Sequence, residues 1–366
     1  MAYVAVKGGQ YAIEESIRRI KYERLKDKRF VSVKDIQAGM RLMIDQVMSE
    51  ASLYSKELAA AAIKQGEGSL EEAVFLLRAY RSTLPRKYYS IIVESDTMRI
   101  ERRISAAFKD IPGGQMLGTN FDYKHRLFDL NIENETLEDI EKYVKEFEDN
   151  IEMMEGTDEY LQFPKVADYL RQQGLLAEFP INDEAPKDVT KEQLSFPTVR
   201  SERLQILTRG MTQGVNTLAY ASLRGYGTVH PTVEELRVGA FPIYIADPVA
   251  PEDEEEQYYI GEIKVTEVES LIPVMVQKDE GKKEINFAIG YGIALGQNET
   301  KAISMSILDQ TLENKDSGFP TSDEEFVLYH IDSVEATGFI SHLKLPHYVT
   351  FQAKLNDVRK IKRGEN

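Results

Sequence analysis

YYIGEIKVTEVESL, residues 258–271, alternates apolar and polar side chains along most of its length, which is typical of a β-strand with one buried face. Two further runs, VGAFPIYIA at 238–246 and EINFAIGYGIAL at 284–295, alternate or are continuously apolar. The acidic PEDEEEQ and the turn DEGKKE separate the three runs. Strands joined by short polar connections pair in an antiparallel manner. These residues therefore predict a mostly antiparallel sheet with exposed hairpin tips.

Segments with helical periodicity lie before and after these strands in the sequence. Apolar residues recur at helical spacing, and we predict helices at residues 10–28, 33–49, 55–65, 69 to about 84, 136–155, 163–173, 201–224 (bent at Gly210 or Gly214), 299–313 and 348–362. A strand is predicted at 87–94, where β-branched and aromatic residues are frequent. The fold class expected from this pattern is α+β.

The linker-like composition of residues 175–200, with its prolines and alternating charges, divides the chain. We expect a helix-rich N-terminal domain at 1–174. Residues 201–366 should form a mixed α+β C-terminal domain, in which the predicted sheet is flanked by helices.

The amino-acid composition argues against several kinds of binding and chemistry. A formal charge of −16 over 366 residues argues against non-specific binding to nucleic acid or to an anionic membrane surface. The absence of cysteine excludes disulfides, thiol catalysis and an iron–sulfur cluster held by this chain. No signal-peptide pattern opens the sequence and no run of 18 apolar residues occurs, so we expect no membrane span and a cytoplasmic protein.

The segment GFISHLKLPHYVTFQ, residues 338–352, holds two of the five histidines, His342 and His347. Four residues lie between them, a spacing found among zinc ligands. We predict a metal site, with Zn²⁺ as one candidate ion. Two ligands are too few for a complete zinc site, so the others must come from elsewhere in the fold or from another protein. The alternative is a pair of ordinary histidines.

Residues 98–129 concentrate arginines, a Pro-Gly-Gly turn and His125. The turn at 112–115 would let the amides of Gly113 and Gly114 approach a phosphate, with Arg99, Arg102 and Arg103 close by in sequence. The alternative is a simple turn beside a solvated helix face.

A second glycine-containing loop, RGYGTVHP at 224–231, brings together Arg224, Tyr226 and His230. Cationic, aromatic and imidazole groups on one loop suit a base or a phosphate. A tight turn with a packed tyrosine is the alternative.

Several longer runs carry a resemblance to a known family: YVAVKGG, FLLRAYRSTL, MRIERRISAAFKDIPGGQMLG with DYKHRLFD, RGYGTVHP, and DEEFVLYHIDSVEATGFISHLKLPHYVTFQ. In this order they resemble the I subunit of the bacterial carbon–phosphorus lyase core complex, the PhnI family. The resemblance covers most of residues 3–130 and 200–355.

The resemblance implies an enzyme of phosphonate breakdown. An alkylphosphonate oxygen displaces the purine base of MgATP at the anomeric carbon and gives ribose 1-phosphonate 5-triphosphate. The subunit acts with G and H subunits and an ATP-binding-cassette-like L subunit, and alone it can act as a purine nucleotide nucleosidase. It also pairs with a radical-chemistry J subunit, where the positions of His342 and His347 lie at a shared metal site.

Such chemistry needs cations or amides for the triphosphate, a carboxylate facing the sugar and an acid for the departing base. We assign the carboxylate and acid roles to Glu101, Asp110 and His125. The substrate-binding residues that we predict are Arg102, Arg103, Gly113, Gly114, Gln115, Arg224, Tyr226 and His230.

Two other functions remain open from the sequence. The chain could be a scaffold that donates two metal ligands to a neighbour. It could also be a stand-alone metal-dependent hydrolase, which would need further ligands in the same chain, such as His330, Asp332 or Glu335.

Overall fold

The computed structural model describes residues 8–154, 163–177, 184–226, 231–249, 257–277, 283–313, 318–345 and 347–364. Within these ranges it has an α+β architecture with a four-stranded antiparallel sheet, as predicted. The helices are α1 (Gly9–Leu25), α2 (Val33–Gly39), α3 (Arg41–Ala51), α4 (Lys56–Gln65), α5 (Leu70–Ser82), α6 (Leu137–Met154), α7 (Val166–Gln172), α8 (Arg200–Arg209), α9 (Thr212–Ala221), α10 (Glu299–Glu313), α11 (Glu324–His330), α12 (Ser333–His342) and α13 (Tyr348–Arg363). The strands are β1 (Arg99–Ile104), β2 (Thr232–Ala246), β3 (Gln257–Gln277) and β4 (Lys283–Leu295).

The sheet has the order β1-β2-β3-β4, with every neighbouring pair antiparallel. The three predicted runs form β2, β3 and β4. The fourth strand, β1, is the arginine-rich run that sequence reasoning could also interpret as a solvated helix face, and that interpretation is wrong. Because β1 pairs with β2, the helix-rich N-terminal part of the chain supplies the edge of the same sheet.

One face of the sheet is covered by α10. Gly290 and Gly292 of β4 make this possible, since a Cβ atom on Gly292 would lie only 1.9 Å from the carbonyl oxygen of Ala302. The hydroxyls of Ser270 and Ser306 also meet across this contact at 2.7 Å. The helix therefore packs directly on the strand backbone, and the glycines of the EINFAIGYGIAL run are needed for close approach.

The N-terminal helices α2–α5 pack around their own apolar cluster, which includes Val47, Met48, Ala60 and Val74. The serines that precede α4 and α5 cap them, because the Ser55 hydroxyl accepts from the amide of Leu58 and the corresponding serine of α5 does likewise. A second cluster joins α8, α9, α10 and α11.

Three predicted elements differ from the structure. The helix expected at 33–49 is two helices, α2 and α3, which meet at Met40 where the backbone leaves the helical region. The helix expected at 201–224 breaks at Gly210, one of the two glycines proposed for the bend.

The strand expected at 87–94 is not formed. Within this segment Ser90 forms an isolated bridge with Ile245 of β2, and the amide of Ile91 donates to the carbonyl of Tyr244 at 3.0 Å.

The chain ends in two helices, α12 and α13, that bury very little. Ser333 alone is buried in α12 and none of the residues of α13 is buried. Their exposed apolar side chains include Phe339, Val349, Phe351 and Ile361, the last with 74% of its surface exposed. We call residues 333–363 the C-terminal arm. Among the described residues, no helix combines the length and apolar character needed to cross a bilayer.

Candidate functional site

The face of the sheet opposite α10 carries a buried ionic network contributed by three strands. On β2, Glu235 pairs with Arg103 of β1, with 2.5 Å between Oε1 and Nε, and its other oxygen accepts from the amide of Val166 at 3.1 Å. Arg237 of β2 pairs with Glu267 of β3, its Nε donating to Oε2 at 3.0 Å. All four charged side chains of these two pairs are at most 2% exposed. The sheet therefore holds charges where an apolar layer is usual.

Lys165, just before α7, extends the network. Its ammonium donates to Glu267 Oε1 at 3.0 Å and to Glu269 Oε1 at 2.7 Å, while the Tyr291 hydroxyl donates to Glu267 Oε1 at 2.9 Å. Burial by itself would raise the pKa of Glu267, but Arg237 and Lys165 outweigh it and lower that pKa. Burial and the adjacent Glu267 raise the pKa of Tyr291 well above its ordinary value.

Some polar atoms of this region have no hydrogen-bond partner among the described residues. They are both carboxylate oxygens of Glu234, Oε2 of Glu269 and Nη1 of Arg237. Glu234 is the extra residue of a β-bulge in β2 and is fully buried. Burial, followed by repulsion from Glu269 and Glu235, raises its pKa to about 8. A neutral carboxyl group in this position can donate a proton near neutral pH.

An apolar cavity of about 250 Å³ adjoins the network on the same face. Tyr291 lies on its wall together with Phe241, Val265 and Ile293. Apolar walls beside a few polar groups with shifted pKa values are the usual surroundings of a small-molecule site. This face of the sheet therefore has the physical character of a binding site.

The predicted residues of β1 lie at the edge of this network. Arg103 is fully buried, donates to the carbonyls of Pro112 and Pro164, and lies over the ring of Phe163 with 5.2 Å to its centroid. Its guanidinium is thus committed to holding the Pro-Gly-Gly turn and the start of α7.

Arg102, on the other face, is bound to Asp122 at 2.6 Å and lies 3.0 Å from Glu299. Glu101 is the extra residue of a bulge in β1, is half exposed and forms an ion pair with Lys264. The structure therefore places these two predicted residues in contact with other charged side chains of the chain.

The Pro-Gly-Gly turn is present, and its glycines have left-handed backbone angles. A Cβ atom on Gly113 would lie 2.1 Å from the ring of Phe163, so glycine is required there. The amide of Gly114 donates to the carbonyl of Ile111 at 2.8 Å. The side chain of Gln115 binds the amide of Ser105 and two carbonyls of the same loop, so it ties the loop together.

Two predicted catalytic residues, Asp110 and His125, lie exposed on the loop that follows β1. Arg224 is exposed in the π-helical turn that follows α9, and the Tyr226 backbone belongs to the same turn. His230 and the Tyr226 side chain lie outside the described residues, so their predicted grouping with Arg224 stays a prediction.

The two predicted metal ligands do come together. The ring centroids of His342 and His347 lie 5.6 Å apart at the junction of α12 and α13. Zn–N bonds of about 2.1 Å at a tetrahedral angle would place two such centroids roughly 5 Å apart. Nδ1 of His342 contacts the carbonyl of Phe339, and Nδ1 of His347 contacts that of Leu345 at 2.5 Å. In ligating histidines one ring nitrogen commonly contacts a carbonyl while the other holds the metal, and these two Nδ1 contacts match that arrangement.

Other ligands for a complete site do not gather around this pair. In the described part of the chain, no three His, Cys, Asp or Glu side chains are arranged to hold a metal ion. Asp332 caps α12 and pairs with Arg78, and His330 contacts the carbonyl of Phe326. The ligand set required by a stand-alone hydrolase is therefore not assembled among these residues.

Sequence reasoning missed most members of the ionic network: Lys165, Glu234, Glu235, Arg237, Glu267, Glu269 and Tyr291. The available signal was charge at alternate positions of strand-like runs, as at Glu267 and Glu269. In an exposed sheet the same pattern marks the solvated face, so only the packing of α7 on this face distinguishes the two situations.

Comparison with known sequences identifies the family of the chain. A sequence model described as "Bacterial phosphonate metabolism protein (PhnI)" matches residues 2–365. The putative C-P lyase subunit protein HtxH of Stutzerimonas stutzeri is 42% identical over 98% of this chain and 95% of its own length. The alpha-D-ribose 1-methylphosphonate 5-triphosphate synthase subunits PhnI of Rhizobium meliloti and Escherichia coli K12 are each 40% identical, over 99% and 100% of this chain and 95% and 99% of their own lengths.

Proposed function

The chain belongs to the bacterial PhnI family of phosphonate metabolism proteins, and we propose that it is a subunit of the transferase that attaches an alkylphosphonate to ribose 5-triphosphate. In this reaction a phosphonate oxygen displaces the purine base of MgATP at the anomeric carbon. The observation that carries the proposal is the match along the whole chain to two relatives that bear the name of this synthase subunit. We further propose that the chain alone hydrolyses purine nucleotides to the free base, and that it acts in the cytoplasm.

The reaction breaks the bond between the anomeric carbon and the base nitrogen and forms a carbon–oxygen bond. The sugar gains positive charge as the base leaves, and the base takes up a proton. We propose Glu101 or Asp110 as the carboxylate that faces the sugar and His125 as the acid that protonates the base. The exposure of all three side chains leaves them accessible to a substrate.

For the triphosphate, we propose Arg102, Arg224 and the Pro-Gly-Gly turn at 112–115, together with Tyr226 and His230 for the remaining contacts. Arg103 supports this site indirectly, because its bonds to Pro112 and Pro164 fix the turn. Gln115 acts in the same way through its bonds within the loop. Mg²⁺ would enter with the ATP substrate.

The C-terminal arm gives the second part of the proposal. His342 and His347 would hold one ion, with Zn²⁺ as the candidate, and a J-type partner subunit would complete its ligand set. The exposed apolar side chains of the arm support such an interface. A bound ion would lock the junction of α12 and α13 against the partner. The G, H and L subunits are proposed as the further partners, and no iron–sulfur cluster is assigned to this chain, which has no cysteine.

The synthase role is tested by release of adenine. The complex assembled from this chain and its G, H and L partners, supplied with MgATP and methylphosphonate, should release adenine and form a phosphonate ester detectable by ³¹P NMR. His125→Gln should slow release by about 10²–10⁴-fold. Lys124→Gln, at the neighbouring exposed position, is the matched control. If the assembled complex releases no adenine, the synthase role is wrong.

The scaffold function is the alternative, and the incomplete ligand set of the histidine pair favours it. It predicts that adenine release is unchanged in Arg102→Gln and Asp110→Asn, and that only His342→Ala and His347→Ala impair the assembled complex. The proposed enzyme gives the opposite result for the first two variants. Because Arg102 is buried and paired with Asp122 and Glu299, thermal unfolding must first show that Arg102→Gln keeps the fold, and otherwise Asp110→Asn decides.

A further inference from the structure

A cationic cavity lies outside every group of residues considered so far. It has a volume of about 390 Å³ and lies between the C-terminal ends of α3, α5 and α8 and the segment at residues 186–190. Among the described residues, four cationic side chains line it, namely Arg81, Arg86, Lys187 and Arg209, and Asp188 is the one carboxylate. In a chain of formal charge −16, this is a marked local excess of positive charge.

Arg78, at the edge of this region, shows how a structural arginine is satisfied in the fold. Its guanidinium donates to the carbonyl of Glu50 at 3.0 and 2.8 Å, to the carbonyl of Arg209 at 2.8 Å and to Asp332 at 2.6 Å. It thereby binds the orphan carbonyls at the ends of two helices, and its charge is neutralised.

Arg209 has no comparable contacts with the described residues. Its Nη1 is buried and finds no acceptor among the described residues. Within the described part of the chain, Arg81 has a single long hydrogen bond of 3.4 Å, from Nη1 to the carbonyl of Ser52. A buried guanidinium nitrogen without an acceptor is costly, because the lost contact with water is not replaced. The fold therefore keeps two arginines at this cavity without the partners that it gives to Arg78.

Asp188 and Asp332 offset the charge of these arginines only in part, since the pKa of each arginine remains lowered. Asp188 is occupied by Arg86 and by the amide and hydroxyl of Thr190. Lys187 lies 3.4 Å from Glu202. Burial, followed by repulsion from Arg78 and Arg81, lowers the pKa of Arg209 to about 10, and burial together with Arg86 and Arg78 lowers that of Arg81. The cations thus repel one another around an open space.

We propose that this cavity is a binding site for a tetrahedral oxyanion, a phosphoryl or phosphonyl group, held by Arg81 and Arg209 with Arg86 at its rim. Guanidinium groups bind such oxygens in pairs of parallel hydrogen bonds. A shift of the Arg209 side chain towards the bound anion would give its buried Nη1 the acceptor that it lacks. The gap between the guanidinium groups would be filled by negative charge. The volume lies in the range of small-molecule sites and exceeds what a single ion needs.

Two sources of this group are compatible with the cavity: an alkylphosphonate, or the phosphate chain of a nucleotide bound in addition to the one proposed near Arg102 and Arg224. The choice between them rests on the proposed function, whereas the oxyanion site itself does not. Binding measured without turnover therefore tests the site even if the chain proves to have no synthase role.

The test is calorimetric titration of the full chain with inorganic phosphate, methylphosphonate and ATP, with adenosine as the uncharged control. Wild-type protein should bind at least one of the three oxyanions and should not bind adenosine at this site. Arg209→Gln and Arg81→Gln should each weaken binding by about tenfold or more, since a charge-assisted contact is lost. Arg209→Lys should bind with intermediate strength, because it keeps the charge without the fork.

Arg18→Gln is the matched control, since Arg18 is an exposed arginine of α1 whose loss changes the net charge by the same amount. It should bind as wild type does. Methylphosphonate binding that is lost in the cavity variants identifies the phosphonate as the occupant, whereas loss of ATP binding alone identifies the triphosphate.

Thermal unfolding supplies a second measurement. Phosphate should raise the melting temperature of wild type and of Arg18→Gln but not of Arg209→Gln, because only a ligand that binds the native cavity stabilises it. If Arg209→Gln does not fold, the result with Arg81→Gln decides. The proposal is overturned if wild type binds none of the three oxyanions at millimolar concentration, or if the cavity variants bind them as tightly as Arg18→Gln.

Discussion

The sheet and the C-terminal arm show opposite patterns of side-chain burial. In the sheet, charged side chains such as Arg103 and Glu235 are almost completely buried and paired with one another. In the arm, apolar side chains such as Phe351 and Ile361 are more than half exposed, and α13 buries no residue. Each region departs from the usual distribution of residues, but in opposite directions.

The difference indicates where this chain is complete in itself. The ionic network of the sheet has most of its partners within the fold, so it positions the loops around it without help. The arm has an apolar surface and two neighbouring histidines, but among the described residues it has neither a covering nor a third side chain that would complete a metal site. We infer that chemistry confined to this chain belongs near the sheet, whereas the arm acts only in an assembly.

Removing one partner of a buried pair should have the largest effect on the sheet. Glu235→Ala leaves the Arg103 guanidinium without its carboxylate and should lower the free energy of unfolding by about 3–5 kcal/mol. Urea unfolding of the purified chain measures this. Asp168→Ala removes an exposed pair with Arg171 and is the control, with an expected change below about 1 kcal/mol. Equal effects in the two variants would show that the network is not structural.

A matched pair of glycine substitutions contrasts the two regions directly. Gly292→Ala places a methyl group against the carbonyl of Ala302 and should cost about 3 kcal/mol by separating α10 from β4. Gly338→Ala in α12 meets no atom within 4 Å and should stabilise the helix by up to about 1 kcal/mol. Thermal unfolding followed by circular dichroism measures the change in stability of both variants. A stabilising Gly292→Ala would contradict the close packing of α10.

The pH dependence of stability should reveal that Glu234 is protonated in the folded chain. Its pKa is about 8 in the folded chain against an ordinary 4.5, so the native state holds a proton that the unfolded state has lost between these values. The contribution of this proton to the free energy of unfolding is therefore fully present below pH 4.5 and is lost as pH rises towards 8. Glu234→Gln should remove this slope and should be more stable than wild type at pH 7, by on the order of 2 kcal/mol.

The control for this prediction is Glu262→Gln, which changes an exposed carboxylate paired with Arg99. Its stability should follow the wild-type pH profile. Urea midpoints measured from pH 4 to pH 9 separate the cases, and parallel profiles for wild type and Glu234→Gln would rule out a buried proton on Glu234.

The smallest effect on the stability of the isolated chain is expected from a substitution in the arm. Phe351 is 59% exposed, so Phe351→Ser should change the free energy of unfolding of the isolated chain by no more than about 0.5 kcal/mol. The same substitution should weaken assembly with the partner subunits, measured by co-purification. A large loss of stability in the isolated chain would mean that the arm packs on the rest of the fold.

The strands β2–β4 and most helices follow from periodicity, because their apolar residues recur at strand or helical spacing. The edge strand β1 does not, since its arginines are matched by Glu235 and other carboxylates more than 100 positions away in the sequence. The spacing of His342 and His347 predicted a metal site; the structure places their rings 5.6 Å apart, and the metal itself stays a prediction. The cavity around Arg81 and Arg209 could not be predicted, because three helix ends build it from distant segments.

Hydrogen–deuterium exchange of the chain, alone and in the assembled complex, tests the contrast between the two regions most directly. In the isolated chain, amides of β2–β4 should be strongly protected, whereas those of residues 348–363 should exchange within seconds to minutes. In the complex, the arm should gain protection while the sheet remains unchanged. Strong protection of the arm in the isolated chain, or its continued rapid exchange in the complex, would contradict the inference that a partner completes it.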